Sequence, residues 1–355
     1  MTNVKTLFFP ACYNTTMKRW QLWVGILISI LFLYLALRGL QLEQVWETVK
    51  QANYLWLLPG IGVYFVAVWI RTWRWQILLK PLKSIKIRKI FPIVAIGYMG
   101  NNIFPARLGE VLRAAVLKRR EDVAISSSLA TIIIERIFDG MVMLAFVFLN
   151  LPELATLNSA SGFAGNIQNI AVWGAVLFSV ALILFLIAAA LPQKTIQLIE
   201  WMIRVVVPKK WKATASSLME RFISGLETLR SPKQTMMIFL ASAVIWLLET
   251  GMYWLVMQAF PFQVSFLGLM LMNGVINLIT TIPSAPGYIG TFDAPGIALL
   301  QAYGVSGELA AGYTLVLHAT LWLPITLLGA YFFLREGLGL TQAMEQTRGE
   351  VKTHE

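Results

Sequence analysis

The chain has 355 residues, 57% of them hydrophobic and only 13% charged, with a net charge of +11. Uncharged runs over 20–37, 54–70 and 171–192, and a longer one over 250–292, approach or exceed the roughly 20 residues a helix needs to cross a hydrocarbon core. None carries a polar stripe at helical spacing, which excludes a water-soluble helical core. The basic residues lie just outside these runs, as the loops of membrane proteins require, so the charge does not signal nucleic acid.

Residues 1–19 read as a cytoplasmic segment ending in Lys18 and Arg19, ahead of a first span that no small-residue cleavage site follows. The loop 38–53 balances Arg38 and Lys50 against Glu43 and Glu47. After the second span come Arg71, Arg74, Lys80, Lys83, Lys86, Arg88 and Lys89 without an acid. That excess places this loop in the cytoplasm and 38–53 outside. Trp69, Trp73 and Trp75 fall where an interfacial aromatic belt belongs.

An uncharged stretch, 90–106, then leads into Arg107, Glu110, Arg113 and a charged cluster over 118–122. A long span follows over about 123–152, and the loop 151–169, with Glu153 alone, reads as periplasmic. Cytoplasmic charge on both sides of 90–117 requires that segment to enter and leave on one face. It is therefore a re-entrant hairpin, broken at Asn101-Asn102-Ile103-Phe104-Pro105.

The pattern recurs. Residues 171–192 return the chain to the cytoplasm, where 194–233 holds eight Lys/Arg against three Glu and reads as amphipathic helices on an anionic leaflet. A span over about 235–258 crosses outward, 264–304 is broken at Pro283-Ser284-Ala285-Pro286-Gly287, and a last span over about 309–334 ends at Arg335 before the tail 336–355. A cytoplasmic tail makes the second broken segment re-entrant from the other side. Both breaks place a Pro and then a Gly four residues later, Pro105 with Gly109 and Pro286 with Gly290. Repeats of opposite topology with interrupted helices characterise alternating-access transporters.

Glu135, Arg136 and Asp139 lie inside a span, where each costs about 2.5–3.5 kcal/mol on insertion scales. Spacing puts Glu135 and Asp139 on one face and lets Arg136 reach Asp139. These three either form a structural ion pair or serve a ligand. Arg107, Glu110 and Arg113 are either a solvated face or part of the same site. Helix N-termini at a break, with Asn101, Asn102 and Pro105 before it, attract anions, and arginine adds a fork matched to phosphate. Arg107, Arg113 and Arg136 are thus the candidate phosphate ligands, with Glu110, Glu135 and Asp139 as counter-ions or proton carriers. Pro286, Gly287 and Gly290 form the second break, and Glu249, Asp293 and His318 are the second-half counterparts. His318 is either a packing residue or a relay. The lone Cys12 excludes a disulfide framework, and with only His318 and His354 no metal or cofactor site is expected.

The string Asn102-Ile103-Phe104-Pro105-Ala106-Arg107-Leu108-Gly109-Glu110-Val111-Leu112-Arg113, with Glu135-Arg136-Ile137-Phe138-Asp139, resembles the lysylphosphatidylglycerol synthase transmembrane-region family. The second-half string Pro283-Ser284-Ala285-Pro286-Gly287-Tyr288-Ile289-Gly290-Thr291-Phe292 looks like its other hallmark, with Asp293 matching an acid of the family motif. The resemblance implies a flippase-like domain for lipids with anionic or aminoacylated head groups, some relatives acting on polyprenyl-phosphate sugars or hopanoids. In fused synthases a soluble aminoacyl-transferase follows. Here only the tail 336–355 does, so the resemblance implies transport without lysyl transfer.

The expected fold is an all-α polytopic membrane protein with about six full spans and two re-entrant broken-helix hairpins in an inverted repeat. A single membrane domain covers 20–335, its repeats about 54–152 and 235–334. The expected function is movement of an anionic lipid, phospholipid or polyprenyl-phosphate-linked, between leaflets of a bacterial or archaeal plasma membrane. Both termini are expected in the cytoplasm, and the expected partners are the anionic lipid, the membrane and, as an open alternative to a monomer, further copies of the chain in a homo-oligomer. A membrane transferase using a polyprenyl-phosphate lipid, and a lipid-binding scaffold acting through 194–233, are the alternatives.

Overall fold

The computed structural model describes residues 38–104, 107–150, 231–281 and 285–335, with single residues in 27–34 and 176–201. The expected first span, the loop 151–169, the span 171–192, most of the 194–233 stretch and both terminal segments lie outside the described residues.

All regular elements among the described residues are helical. In chain order they are α1 Leu42–Gln51, α2 Leu57–Leu79 behind a 3-10 turn at Tyr54–Trp56, α3 Ile87–Ile103, α4 Leu108–Glu121 and α5 Ile125–Leu149. The second half contributes α6 Pro232–Met257, α7 Phe266–Ile279, a 3-10 turn at Pro286–Tyr288, α8 Asp293–Ala302 and α9 Gly307–Arg335. Three helices, over Tyr54–Leu79, Lys233–Met257 and Gly307–Arg335, are long and apolar enough to cross a membrane. Helix α5 has 25 residues, ample length at 1.5 Å each, but carries three ionisable side chains.

Local chemistry sets the boundaries. Helix α3 stops because Phe104 precedes a proline, which drives it to extended backbone (φ −102°, ψ 142°). Ala285 before Pro286 is extended for the same reason (φ −61°, ψ 162°). Asp122 takes a left-handed φ of 53° and donates its N–H to the Lys118 carbonyl, which ends α4 and starts the turn into α5. Ser265 caps α7 by accepting from the Gly268 N–H at 2.9 Å. Asn101 and Asn102, expected within the first break, lie instead in the last turn of α3. The loop 38–53 contains a helix that loop charge alone did not reveal, α1, with Val45 buried against α9.

The packing of the two halves has a common plan. Helices α2 and α6 lie against each other, and each half continues with a helix–break–helix hairpin, α3–α4 or α7–α8, and a long closing helix, α5 or α9. The entering arm of each hairpin packs on the other half's closing helix, α3 on α9 and α7 on α5. The returning arm packs on its own half's closing helix, α4 on α5 and α8 on α9. Exchanging the halves therefore maps the packing onto itself.

The hairpins open at opposite ends. At one end Lys83 and Lys89, flanking the start of α3, both pair with Glu121 at the end of α4, at 3.3 Å and 2.8 Å. At the other end the Asn53 N–H, just before α2, donates to the Ala259 carbonyl just after α6, at 3.0 Å. There Gly268 near the start of α7 lies against Tyr303 just after α8, and Leu40 packs on Gly307. The arms of the first hairpin approach closely at Gly109, where a methyl group would collide with the Gly97 carbonyl and Asn101.

The hydrogen bond from Lys89, with a second from Lys83, holds the Glu121 carboxyl below the ordinary carboxylate range against the opposing effect of burial. A lowered carboxyl pKa means that the folded chain binds fewer protons than the unfolded one near that range. The contribution of Glu121 is then complete above its ordinary value of 4.5 and is lost as pH falls through the folded value. The melting temperature in detergent is expected to drop on acidification from about pH 5 to about pH 3. Glu121→Gln should lower the pH 7 value and flatten that drop. An unchanged acid limb in the variant would show that other carboxylates set it.

Candidate functional site

Helix α2 places Arg71 and Arg74 on one turn, facing inward at 6% and 1% exposure. An arginine at that depth needs a carboxylate, because no water is there to solvate it. Arg74 reaches both oxygens of Asp139 on α5, at 2.5 and 3.2 Å, approaches Glu135 at 3.7 Å and donates to the Ser242 hydroxyl of α6. Arg71 pairs with Glu249 on α6 at 2.6 Å and lies over the Trp246 ring at 4.9 Å. Arg113 on α4 pairs with Glu135 at 2.5 Å and stacks on Trp75, whose indole N–H donates to Thr131. Arg136 is shared between Glu110 at 3.3 Å and Asp139 at 3.6 Å. The Trp246 indole also donates to Asp139. Four arginines thus face four carboxylates, and the pairs tie α2, α4, α5 and α6 together.

The second half has one ionic contact at the matching position. His318 on α9 meets Asp293 at the start of α8 through Nδ1 at 2.8 Å, and the Gly287 carbonyl through Nε2 at 2.7 Å. The other Asp293 oxygen accepts the Gly290 N–H at 2.8 Å. His318 therefore holds the 3-10 turn of the second break and the start of α8, as Glu135 holds the returning arm of the first hairpin through Arg113.

The breaks themselves meet. Arg107, between α3 and α4, has a left-handed φ of 55°, and Tyr288, its counterpart by the Pro-to-Gly spacing, has φ 60°. The Arg107 guanidinium lies over the Tyr288 ring at 5.6 Å and donates to the Thr280 carbonyl at the end of α7 at 3.1 Å. Its Nε is buried without a partner. Asn102 donates to the Thr326 hydroxyl at 2.7 Å and the Trp322 carbonyl at 3.3 Å, and the Trp322 indole answers to its backbone carbonyl. The apex of each hairpin is thus held by the opposite half. Arg107 is the interior arginine without a carboxylate partner among the described residues.

The family model for the lysylphosphatidylglycerol synthase TM region matches residues 22–329. The chain belongs to that family. Among curated relatives, a UPF0104 membrane protein of Methanothermobacter thermautotrophicus is 24% identical over 320 residues, covering 86% of this chain and 90% of the relative. A UPF0104 membrane protein of Methanocaldococcus jannaschii is 22% identical, covering 86% and 91%. Glycosyltransferase AglD of Haloferax volcanii is 23% identical over 93% of this chain but only 57% of its own length. No solved structure matches. With its apolar helices, this member of the family is a multi-pass membrane protein.

Of the residues singled out in the sequence, this family member brings Arg113, Arg136, Glu110, Glu135 and Asp139 into one network and Asp293 and His318 into another. Glu249 joins neither of the expected second-half partners and faces Arg71 instead. Gly287 and Gly290, at φ 71° and 82°, make the second break with Pro286, and Pro105 lies outside the described residues. Arg113 gives one Nη to Glu135, whereas Arg107 has no carboxylate partner among the described residues. The principal omission is Arg71 and Arg74. They read as part of the cytoplasmic basic loop, yet α2 continues to Leu79 and buries both. The available signal was spacing. Arg71, Arg74 and Trp75 share a helical face, and the first lysine comes only at Lys80. Trp75, expected in the interfacial belt, is fully buried under Arg113.

Breaking a buried pair from one side leaves the other charge unpaired at about 3–5 kcal/mol, whereas replacing both with apolar groups is often neutral. Arg71→Leu and Glu249→Leu are each expected to lose stability of that order in detergent unfolding. The double variant should recover most of it. A double variant as unstable as the sum of the singles would mean that the two side chains do not act as a pair.

Proposed function

We propose that this chain transports a lipid with an anionic, phosphate-bearing head group between the leaflets of a bacterial or archaeal plasma membrane. One observation carries the reading. The two helix breaks meet at Arg107 and Tyr288, and the guanidinium between them has no carboxylate partner among the described residues. Helices broken at membrane depth are tolerated where they face protein or a polar cavity, and an uncompensated arginine there calls for an anion. Hairpins that open at opposite ends give that meeting point an approach from each side, as alternating access requires.

In this reading the membrane domain covers 20–335, with repeats over 54–152 and 235–334, six full spans and both hairpins re-entrant. Both termini face the cytoplasm, and 194–233 lies on its leaflet. Arg107 meets the phosphate first. Arg136, 31% exposed at its side chain and shared with Glu110, is the next cation within the network. Arg113 holds the returning arm against α5 in place of the expected phosphate contact. Asn101 and Asn102 position the first break, and Pro286, Gly287 and Gly290 shape the second.

The Haloferax volcanii relative named as a glycosyltransferase favours a second reading, a membrane transferase acting on a polyprenyl-phosphate lipid. The chain spans only 57% of that protein. Among the described residues four interior carboxylates each face an arginine and Asp293 faces His318, which holds all five in place as partners rather than as bases for an acceptor.

Arg107→Ala in proteoliposomes is expected to abolish lipid movement with the melting temperature nearly kept. Arg107→Lys should recover part of it, since a point charge lacks the planar fork. Normal movement by the alanine variant would remove Arg107 from the mechanism. For the topology, single cysteines at Ser84 and Lys118 should be shielded from an impermeant thiol reagent applied outside intact cells, and one at Ser306 should react. Reaction at Lys118 from outside would end the re-entrant reading of the first hairpin.

A further inference from the structure

We propose that a groove between α1, α2 and α9 holds one acyl chain of a phospholipid from the leaflet that α1 borders. The groove has a volume of about 460 Å³, within the roughly 300–1,000 Å³ usual for ligand sites. Trp46 and Val49 of α1, Leu57 and Ile61 of α2, and Leu315 and Leu323 of α9 line it. It lies apart from the helix breaks and makes no use of Arg107.

The groove follows from how α1 crosses α9. The crossing is at Gly312, where an added methyl group would collide with the Thr48 side chain. Val45 is buried there, but Leu42 and Trp46, on the same apolar face of α1, remain 62% and 59% exposed. Glu43, Glu47 and Lys50 occupy the opposite face. A helix patterned in this way lies in the membrane interface with its apolar side against hydrocarbon. Trp46 and Tyr54 supply the aromatic residues expected at that level.

The lining selects the occupant. Its two hydroxyls besides backbone are already used, Tyr54 donating to the Val49 carbonyl at 2.7 Å and Thr320 to the Val316 carbonyl at 2.6 Å. A peptide would bring N–H and C=O groups that such a wall cannot satisfy. None of the residues described in 27–34 lines the groove. From Leu315 to Pro324 helix α9 rises about 13 Å. That is close to half of a hydrocarbon core about 30 Å thick, the depth of one leaflet. An acyl chain fits that length, and a polyprenyl chain of many units exceeds it. The deep end, at Leu323 and Pro324, is level with Trp322 and Thr326, which hold Asn102 at the first break. At the mouth Lys50 pairs with Glu47 at 2.9 Å, so the charges there cancel and the chain, not the head group, is selected.

The test places the full-length chain in vesicles of phosphatidylethanolamine and phosphatidylglycerol, with a trace of either lipid carrying a photoactivatable diazirine in one acyl chain. Residues 42–61 and 315–324 should label about fivefold or more above the exposed apolar face of α6 at Leu240 and Val244, the reference for ordinary bilayer contact. The two probes should label alike. Ala319→Trp, at an exposed position in the lining, fills the groove and should return its label to the reference level. Leu315→Trp should do the same, and it carries the test if the first variant does not fold. Arg107→Ala should leave the label unchanged, whatever it does to lipid movement. Equal labelling of the groove and α6 would mean ordinary bilayer contact and overturn the proposal. A label unmoved by both tryptophan variants, or about tenfold stronger with one head group or with a polyprenyl probe, would overturn it too. Loss of the label in Arg107→Ala would assign the lipid to the helix breaks instead. A disulfide between Leu323→Cys and Leu27→Cys would give the groove to the chain's own first apolar run, which also ends the proposal.

Discussion

The guanidinium of Arg74 is the contact on which the remaining interior depends. It is 1% exposed and bridges three helices, α2 through its own backbone, α5 through Asp139 and Glu135, and α6 through Ser242. A charge that deep in an apolar bundle cannot be hydrated, so its position fixes where the carboxylates must be. Glu135, once placed, holds Arg113 and with it the returning arm of the first hairpin. Asp139 reaches Arg136, which reaches Glu110 on that same arm. One buried cation thereby determines how the broken hairpin sits against α5.

The two halves solve the same mechanical problem with different chemistry. Each returning arm is bound to its closing helix through charged side chains, Arg113 to Glu135 and Glu110 to Arg136 in the first half and Asp293 to His318 in the second. The first uses a guanidinium, which stays charged at every accessible pH, and adds the Trp75 ring beneath it. The second uses an imidazole, the side chain whose charge ordinarily changes nearest neutrality, and adds the Phe292 ring at 4.4 Å. The fold repeats while its fastenings do not. The first hairpin is bound by two arginine–carboxylate pairs, and the second by a single histidine that meets the 3-10 turn of its break and the start of α8.

How far the sequence could be read depended on which physical signal each feature leaves. Long apolar runs and loop charge are strong one-dimensional signals, and they located α5, α6 and α9 to within a few residues, but they ended α2 near Ile70 where the helix runs on to Leu79. The breaks were legible because proline acts locally. Phe104 and Ala285 are extended for no reason beyond the residue that follows each. Spacing placed Arg136 against Asp139, but the pairing of Arg74 with Asp139 and of Arg71 with Glu249 is not local and could not be chosen from it. Arg71 and Arg74 were misread because an arginine at a span's end and one buried a turn further in look alike in composition. Only the helical phase of Trp75 distinguishes them. The 10-residue α1 was hidden by its balanced charge, although Leu42, Val45, Trp46 and Val49 recur at helical spacing.

Of the three non-glycine residues with left-handed backbone among the described residues, two lie where the two halves touch. A residue other than glycine in the left-handed region costs about 1–3 kcal/mol unless its surroundings demand it, and such residues gather at functional sites. Arg107 and Tyr288 both adopt it, at equivalent places in the two breaks, and their side chains are in contact with each other. Glycine would relieve the strain at either position, but it would also remove the guanidinium or the ring. Strain kept for the sake of a side chain indicates that the side chain is what the position is for. Among the described residues the Arg107 side chain bonds to one carbonyl and to no carboxylate, and the Tyr288 ring covers its face. The two breaks therefore do more than shorten helices. Each turns one residue towards the other half, and the two side chains meet there beside the Asn102 contacts to α9.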